Sequence, residues 1–172
     1  VDSNPKYLNS PETVLSHKSL TPYGRHAARE ANPPRAPVLV VEGYMDVVAL
    51  AQHGISFAIA TLGTALTSHH LDQLSRQTNQ VIVCFDGDSA GLTAAKRAMS
   101  TMLPFLDDAF SIRFLYLPEG HDPDSLVRAE GAEAFLKRIT RPRSRVGSLA
   151  AICAGQGPSV TLLHGVGLNA DA

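Results

Sequence analysis

Six carboxylates recur just behind apolar stretches of this 172-residue chain. Glu42 and Asp46 lie in Glu42-Gly43-Tyr44-Met45-Asp46, Asp86 and Asp88 in Phe85-Asp86-Gly87-Asp88, and Asp122 and Asp124 in His121-Asp122-Pro123-Asp124. An Asp-x-Asp at the end of a strand can set both carboxylates on one side, because extended side chains alternate. Gly43 and Gly87 remove side chains beside the acids, which would let a phosphate or a metal approach closely. Donors that are all oxygen suit a hard cation such as Mg2+ or Mn2+. Like charges about 5 Å apart repel by roughly 3 kcal/mol per pair at an effective dielectric near 20, so gathering several calls for a positive partner. Taken singly, each piece has a plainer reading. An Asp-Gly-Asp is more often a solvated turn, Asp46 an ordinary polar position on a helix, and Asp122 a helix cap with Pro123 in the first turn. Placement at three strand ends is what points to a metal site.

Other metal-binding residue types form no such pattern. Cys84 and Cys153 are far apart and lack zinc-type spacing to each other or to histidine, so no zinc site is expected. Cys84, inside Val81-Ile82-Val83-Cys84-Phe85, reads as a small core residue. His69 and His70 begin a helical stretch and read as exposed or capping residues. His121 adjoins Asp122 but is more often a bystander than a member of the cluster.

The elements that must position the acids follow from the apolar pattern. Residues 37–42, 56–60, 80–85 and 111–117 read as strands, and the near-continuous apolar runs of the first and third suit a parallel sheet covered on both faces. Helical stretches at 44–53, 68–76 and 90–103 lie between them, with Thr67 or Ser68 able to cap the second. Strand–helix alternation predicts an α/β fold with right-handed crossovers, and ligands of such sheets sit beyond the carboxyl ends of the strands. The acids follow the first, third and fourth strands. Residues 1–36, with prolines at 5, 11, 22, 33 and 34, read as an arm with a short helix at 25–31. Residues 140–172 carry Arg141, Arg143 and Arg145 before a Gly-, Ala- and Ser-rich tail expected to be irregular. No apolar run approaches the roughly 20 residues needed to span a bilayer. No secretory signal is visible, so a cytoplasmic protein without membrane contact is expected. With a net charge of −1, bulk charge does not recruit nucleic acid; local groups or metal ions would have to.

At these residues the chain resembles a known family. Val41-Glu42-Gly43-Tyr44-Met45-Asp46-Val47-Val48-Ala49-Leu50 is similar to the glutamate motif of the bacterial DNA primase Toprim domain. Leu62-Gly63-Thr64-Ala65, Cys84-Phe85-Asp86-Gly87-Asp88-Ser89-Ala90-Gly91 and Leu117-Pro118-Glu119-Gly120-His121-Asp122-Pro123-Asp124 follow in the family's order. Upstream, Pro5-Lys6-Tyr7-Leu8-Asn9-Ser10-Pro11 resembles the loop before that domain, and the likeness runs from about residue 4 to about 139. It implies a Toprim-type, Rossmann-like domain over 37–139, with roughly four mostly parallel strands flanked by helices. It also implies a nucleotidyltransferase that uses Mg2+ or Mn2+ to make short RNA primers for replication. Its substrates would be ribonucleoside triphosphates, and its template single-stranded DNA. Glu42 would hold a metal or help activate the primer hydroxyl, with Asp86 and Asp88 as the main metal ligands. Asp46, Asp122 and Asp124 would complete the metal cluster, and Lys6 and Lys18 would bind the nucleotide.

The chain also departs from that pattern. Primases of this type carry a zinc ribbon and a basic DNA-gripping subdomain upstream, and a helical domain that docks on the replicative helicase downstream. Neither is expected within this chain. Ser19 stands where a glycine follows His17-Lys18, and the pattern is lost after Arg138, which suggests truncation or a shifted reading frame. Three readings stay open: the catalytic fragment of a primase, a metal- and nucleotide-binding remnant that makes no primer, or another Toprim enzyme. A topoisomerase needs a tyrosine nucleophile on a separate domain, whereas Tyr7, Tyr23, Tyr44 and Tyr116 all fall within the primase-like segment.

Overall fold

The computed structural model describes residues 21–62, 66–102, 105, 110–140 and 161–163. Lys6, Lys18, the arginines at 141, 143 and 145, and Gly63-Thr64-Ala65 lie outside the described residues.

The apolar runs form strands because side chains on both faces find cover. Strands β1 (Val38–Val41), β2 (Ala58–Ala60), β3 (Gln80–Phe85) and β4 (Ser111–Tyr116) pair in parallel, in the spatial order β2-β1-β3-β4. Helices α1 (Arg25–Ala31), α2 (Tyr44–Gln52), α3 (Ser68–Ser75), α4 (Ser89–Met102) and α5 (Pro123–Thr140) flank the sheet. Strand periodicity divides the core in two. Val40, Val81, Val83 and Phe85 pack with Leu71 and Leu74 of α3 and with Ala95, Ala98 and Met102 of α4. On the other face Leu39, Val41, Ile82 and Cys84 pack with Val47 and Leu50 of α2 and with Leu126, Val127, Phe135 and Ile139 of α5. Leu39, Ile82 and Phe135 are almost wholly buried, and removing each such side chain from water contributes about 1.5–3 kcal/mol.

Three differences from the expected pattern have physical reasons. The α5 helix runs far beyond the start signalled by Asp122-Pro123, but it breaks at Gly131 (φ 82°, ψ 161°). That break puts its buried Leu126 and Val127 out of period with Phe135 and Ile139, which hides the helix from a periodicity reading. Within the tail expected to be irregular, Thr161–Leu163 forms a fifth strand, β5, antiparallel to β4 at the sheet edge. Three residues are too few to show a period. Finally, the end of the segment read as an arm is docked on the domain. Tyr23 exchanges both backbone hydrogen bonds with Ala60 (2.8 and 3.0 Å), and Arg25 donates to Gln73 and Gln77 (both 2.8 Å).

Candidate active site

The chain leaves β1 through α2 towards β2, and leaves β3 in the opposite direction through α4 towards β4. The connections diverge, so a crevice opens between the carboxyl ends of β1 and β3, the usual ligand site of an open α/β sheet. Glu42 follows β1 and Asp86 follows β3. The register that pairs Val40 with Val83 brings the two acids out of adjacent strands at nearly the same level.

The loops behind these strands lock together. The Gly87 N–H donates to the His121 carbonyl (2.9 Å), and the Gly120 N–H donates to the Gly87 carbonyl (3.1 Å). A Cβ on Gly87 would stand 1.9 Å from the Pro118 carbonyl oxygen. This corrects the expected role of Gly87: the space beside it is filled by the backbone of the next loop rather than left open to a ligand. A Cβ on Gly91 would likewise meet the Asp86 carbonyl oxygen at 2.3 Å, so the start of α4 rests directly on the backbone of the acid.

Three of the six acids are held by helix N-termini, where free backbone N–H groups and the helix dipole favour negative charge. Asp46 Oδ2 accepts from the Gly43 N–H (3.1 Å) at the start of α2. Asp88 Oδ1 accepts from the Gly91 N–H (2.7 Å) at the start of α4. Asp122 Oδ1 accepts from the Ser125 N–H (2.7 Å) at the start of α5, while Ser125 Oγ accepts from the Asp122 N–H (3.0 Å). The plainer reading of Asp122 as a cap is therefore correct. Asp124 is ion-paired with Arg128 one turn along α5.

Glu42 and Asp86 have no such cap. Asp86 Oδ1 is buried without a hydrogen-bond partner among the described residues. Burial first, then the carboxylates of Glu42, Asp46, Asp122 and Asp88, push the Asp86 carboxyl up to about 7. Burial also drives Asp46 up to about 6, with the Gly43 N–H pulling it down and Asp122 adding to the rise. Glu42 is raised by burial of its carboxyl and by Asp88, although the residue as a whole is exposed and solvent screens the effect. These mutual influences bring all six expected acids into one electrostatic cluster.

Among the described residues, no three acids, histidines or cysteines converge closely enough to hold a metal ion as they stand. The caps explain why: Asp46, Asp88 and Asp122 each commit an oxygen to a backbone N–H, and Asp124 is turned to Arg128. The chemistry nevertheless fits a hard cation. The donors are all carboxylates, and the orphaned Asp86 oxygen is the kind of buried acceptor that needs a positive partner or a proton.

Residues 39–127, just over half of the chain and containing all six acids, match the family described as Toprim-like. This chain belongs to the Toprim-like family. The Toprim-like chain is 56% identical over 140 residues to the DNA primase of Pseudomonas aeruginosa, covering 81% of itself and 21% of that protein. It is 54% identical over 138 residues to the DNA primase of Escherichia coli K12, covering 80% of itself and 24% of that protein. It thus spans less than a quarter of the length of these curated relatives. The crystal structure of a DNA primase domain from P. aeruginosa superposes with a TM-score of 0.76 at 55% identity, over 82% of this chain and 44% of that one. The structure of a DnaG primase catalytic domain bound to single-stranded DNA superposes with a TM-score of 0.75 at 53% identity, over 81% and 45%.

The histidines and one tyrosine of the Toprim-like domain need separate mention. His70 is buried and serves as a capping residue, one of its two expected readings: its Nδ1 accepts from the Thr67 N–H (3.3 Å) while Thr67 Oγ1 accepts from the His70 N–H (3.2 Å). His121 is close to Ser125 Oγ (3.3 Å) and contributes its carbonyl, rather than its ring, to the loop lock. Cys84 is buried, and burial raises its thiol well above its ordinary range, which suits a core residue. Tyr116 was not singled out from the sequence. Its hydroxyl donates to the Asp88 carbonyl (2.9 Å), and burial together with Asp88, Glu42 and Asp86 pushes it up to about 12. Tyr116 therefore stays protonated and pins the Asp88 loop; only the pairing of Phe85 with Tyr116 across β3 and β4 reveals it. Among the described residues, no helix is long and apolar enough to cross a membrane.

Proposed function

We propose that this chain is the catalytic-domain fragment of a DNA primase, joining ribonucleotides into short primers on a single-stranded DNA template. The observation that supports this reading most is the mutual electrostatic influence of six carboxylates along the carboxyl edge of the sheet, in a Toprim-like chain that is 56% identical to a DNA primase. A divalent cation, Mg2+ or Mn2+, would be held by Glu42, Asp86 and the uncommitted oxygen of Asp88, with Asp46, Asp122 and Asp124 supplying further negative charge around it. When bound, such an ion supplies positive charge to the phosphoryl oxygens of the reacting nucleotide.

The chain's own residues do the rest. Glu42, with its raised proton affinity and exposed position, is suited to take a proton from the primer hydroxyl at its carboxylate. Asp86 orients its partners from a rigid strand end, and Tyr116 and Gly91 hold the Asp88 loop in place. Lys6 and Lys18 are proposed to contact the triphosphate, and the replicative helicase is proposed as a partner of the whole enzyme.

Chemistry on a template needs acids, nucleotide and strand held together in near-attack geometry. Strand binding comes largely from basic grooves and stacked aromatics, and this near-neutral chain has no tryptophan. The chain alone is therefore expected to bind metal and nucleotide weakly and to make little primer. Incubation with single-stranded DNA, ribonucleotides and Mg2+ or Mn2+ tests both statements. Robust synthesis that Asp86→Ala abolishes would show a self-sufficient enzyme. Full-length primase carrying Asp86→Ala and still making primer at the wild-type rate would remove Asp86 from the mechanism.

A further inference from the structure

Most arginines whose side chains are described have a partner. Arg25 donates to Gln73 and Gln77, Arg35 donates to Asn79, and Arg76, Arg128 and Arg138 pair with Asp72, Asp124 and Glu130. Among the described residues, Arg29 and Arg97 have none. Both are exposed, Arg29 on α1 and Arg97 on α4, and Arg97 also lines a cleft of about 220 Å³ that Glu42 lines as well. Val40, Val83, Phe85 and Ala94 make the cleft's apolar wall. Arg97 is the one basic side chain on this cleft among the described residues.

An anion brought beside Glu42 meets like charge and needs a cation close by. A guanidinium offers paired N–H donors in a planar fork that matches phosphoryl oxygens. The cleft is smaller than the roughly 300–1,000 Å³ of pockets that enclose a whole drug-sized ligand, so it suits one end of a nucleotide. We propose that Arg97 is a substrate-contact residue that takes the triphosphate of the incoming ribonucleotide in the cleft it shares with Glu42. The proposal rests on the primase reading and names a basic group for that site on α4, apart from the upstream lysines.

Calorimetric titration of the whole chain in Mg2+ tests it, with ATP, inorganic triphosphate, adenosine and a single-stranded DNA oligonucleotide as separate ligands. Arg97→Ala is expected to weaken ATP and triphosphate about 10- to 100-fold, the scale of a lost charge-assisted hydrogen bond, and to leave adenosine unchanged. Arg97→Lys should recover part of the loss, because it restores charge without the fork. ATP binding that is the same in wild type and Arg97→Ala overturns this inference while leaving the primase reading intact. A loss confined to the oligonucleotide also overturns it, assigning Arg97 to the template instead. Equal losses for adenosine would mean a collapsed cleft and overturn it as well. Wild type that binds none of the four ligands sinks both this inference and the nucleotide-binding part of the primase reading.

Discussion

The β1/β3 crevice and the β4–α5 corner both present acids at the carboxyl edge of one sheet, yet they treat them oppositely. At the corner, Asp122 caps α5 through Ser125 and Asp124 pairs with Arg128, so each charge has a partner. In the crevice, Asp86 keeps a buried oxygen with no donor among the described residues, and its carboxyl is pushed up to about 7. A protein that needed these acids only for stability would satisfy them all. The crevice instead stores unfavourable electrostatics, which a bound cation or a proton can relieve, whereas the corner holds the loop that supports it. Functional sites commonly carry such a local cost.

The largest expected effect comes from breaking the join between the two regions. Gly87→Ala would drive a methyl into the Pro118 carbonyl, and neither backbone segment can move without opening the loop lock. We expect about 3 kcal/mol of destabilisation in chemical denaturation, at the upper end for overpacking. A loss below about 0.5 kcal/mol would mean that the two loops are not locked.

Next in size is the response to cations. Mg2+ or Mn2+ at about 100 times its dissociation constant should stabilise the folded chain by roughly 2.7 kcal/mol. Asp86→Ala with Asp88→Ala should abolish most of that gain, while Asp124→Ala, at the corner, should keep most of it. Thermal melts with and without metal read both. Equal losses from the two variants would erase the distinction drawn between the regions.

A smaller effect is expected from pH in the absence of metal. The Asp86 carboxyl rises from an ordinary 3.8 to about 7 in the folded chain, and Asp46 rises to about 6. The folded state therefore binds more protons than the unfolded state between about pH 4 and 7. The stability this contributes is complete below pH 4 and is lost as pH rises through 7. Asp86→Asn removes the Asp86 part of that dependence. Relative to wild type it should gain about 2 kcal/mol between pH 4.5 and pH 8 in chelator, a figure already reduced for solvent screening. A wild-type-minus-variant difference that stays flat across this range would show that Asp86 is not electrostatically strained.

Much of this was legible from the chain. The near-continuous apolar runs at 37–42 and 80–85 point to strands buried on both faces, because a covered parallel sheet hides side chains of both parities. Their spacing from amphipathic stretches implies the crossovers, and the crossovers imply that Glu42, Asp86 and Asp122 meet at one edge. Asp-Pro-Asp carried its own local signal as a helix start, since capping depends on neighbouring residues alone. The contacts that distinguish one acid from another were beyond reach. Whether Asp86 is paired depends on which backbone segment passes beside Gly87 and Gly91, and Pro118 lies 31 positions along the chain from Gly87. Burial of the His70 ring, the Tyr116 hydroxyl on the Asp88 carbonyl and the shared cleft of Glu42 and Arg97 depend likewise on packing between elements distant in sequence. Residue type and local order determine which groups arrive at the sheet edge. Only the close approach of separate loops decides which of them are satisfied and which are left with charge to share.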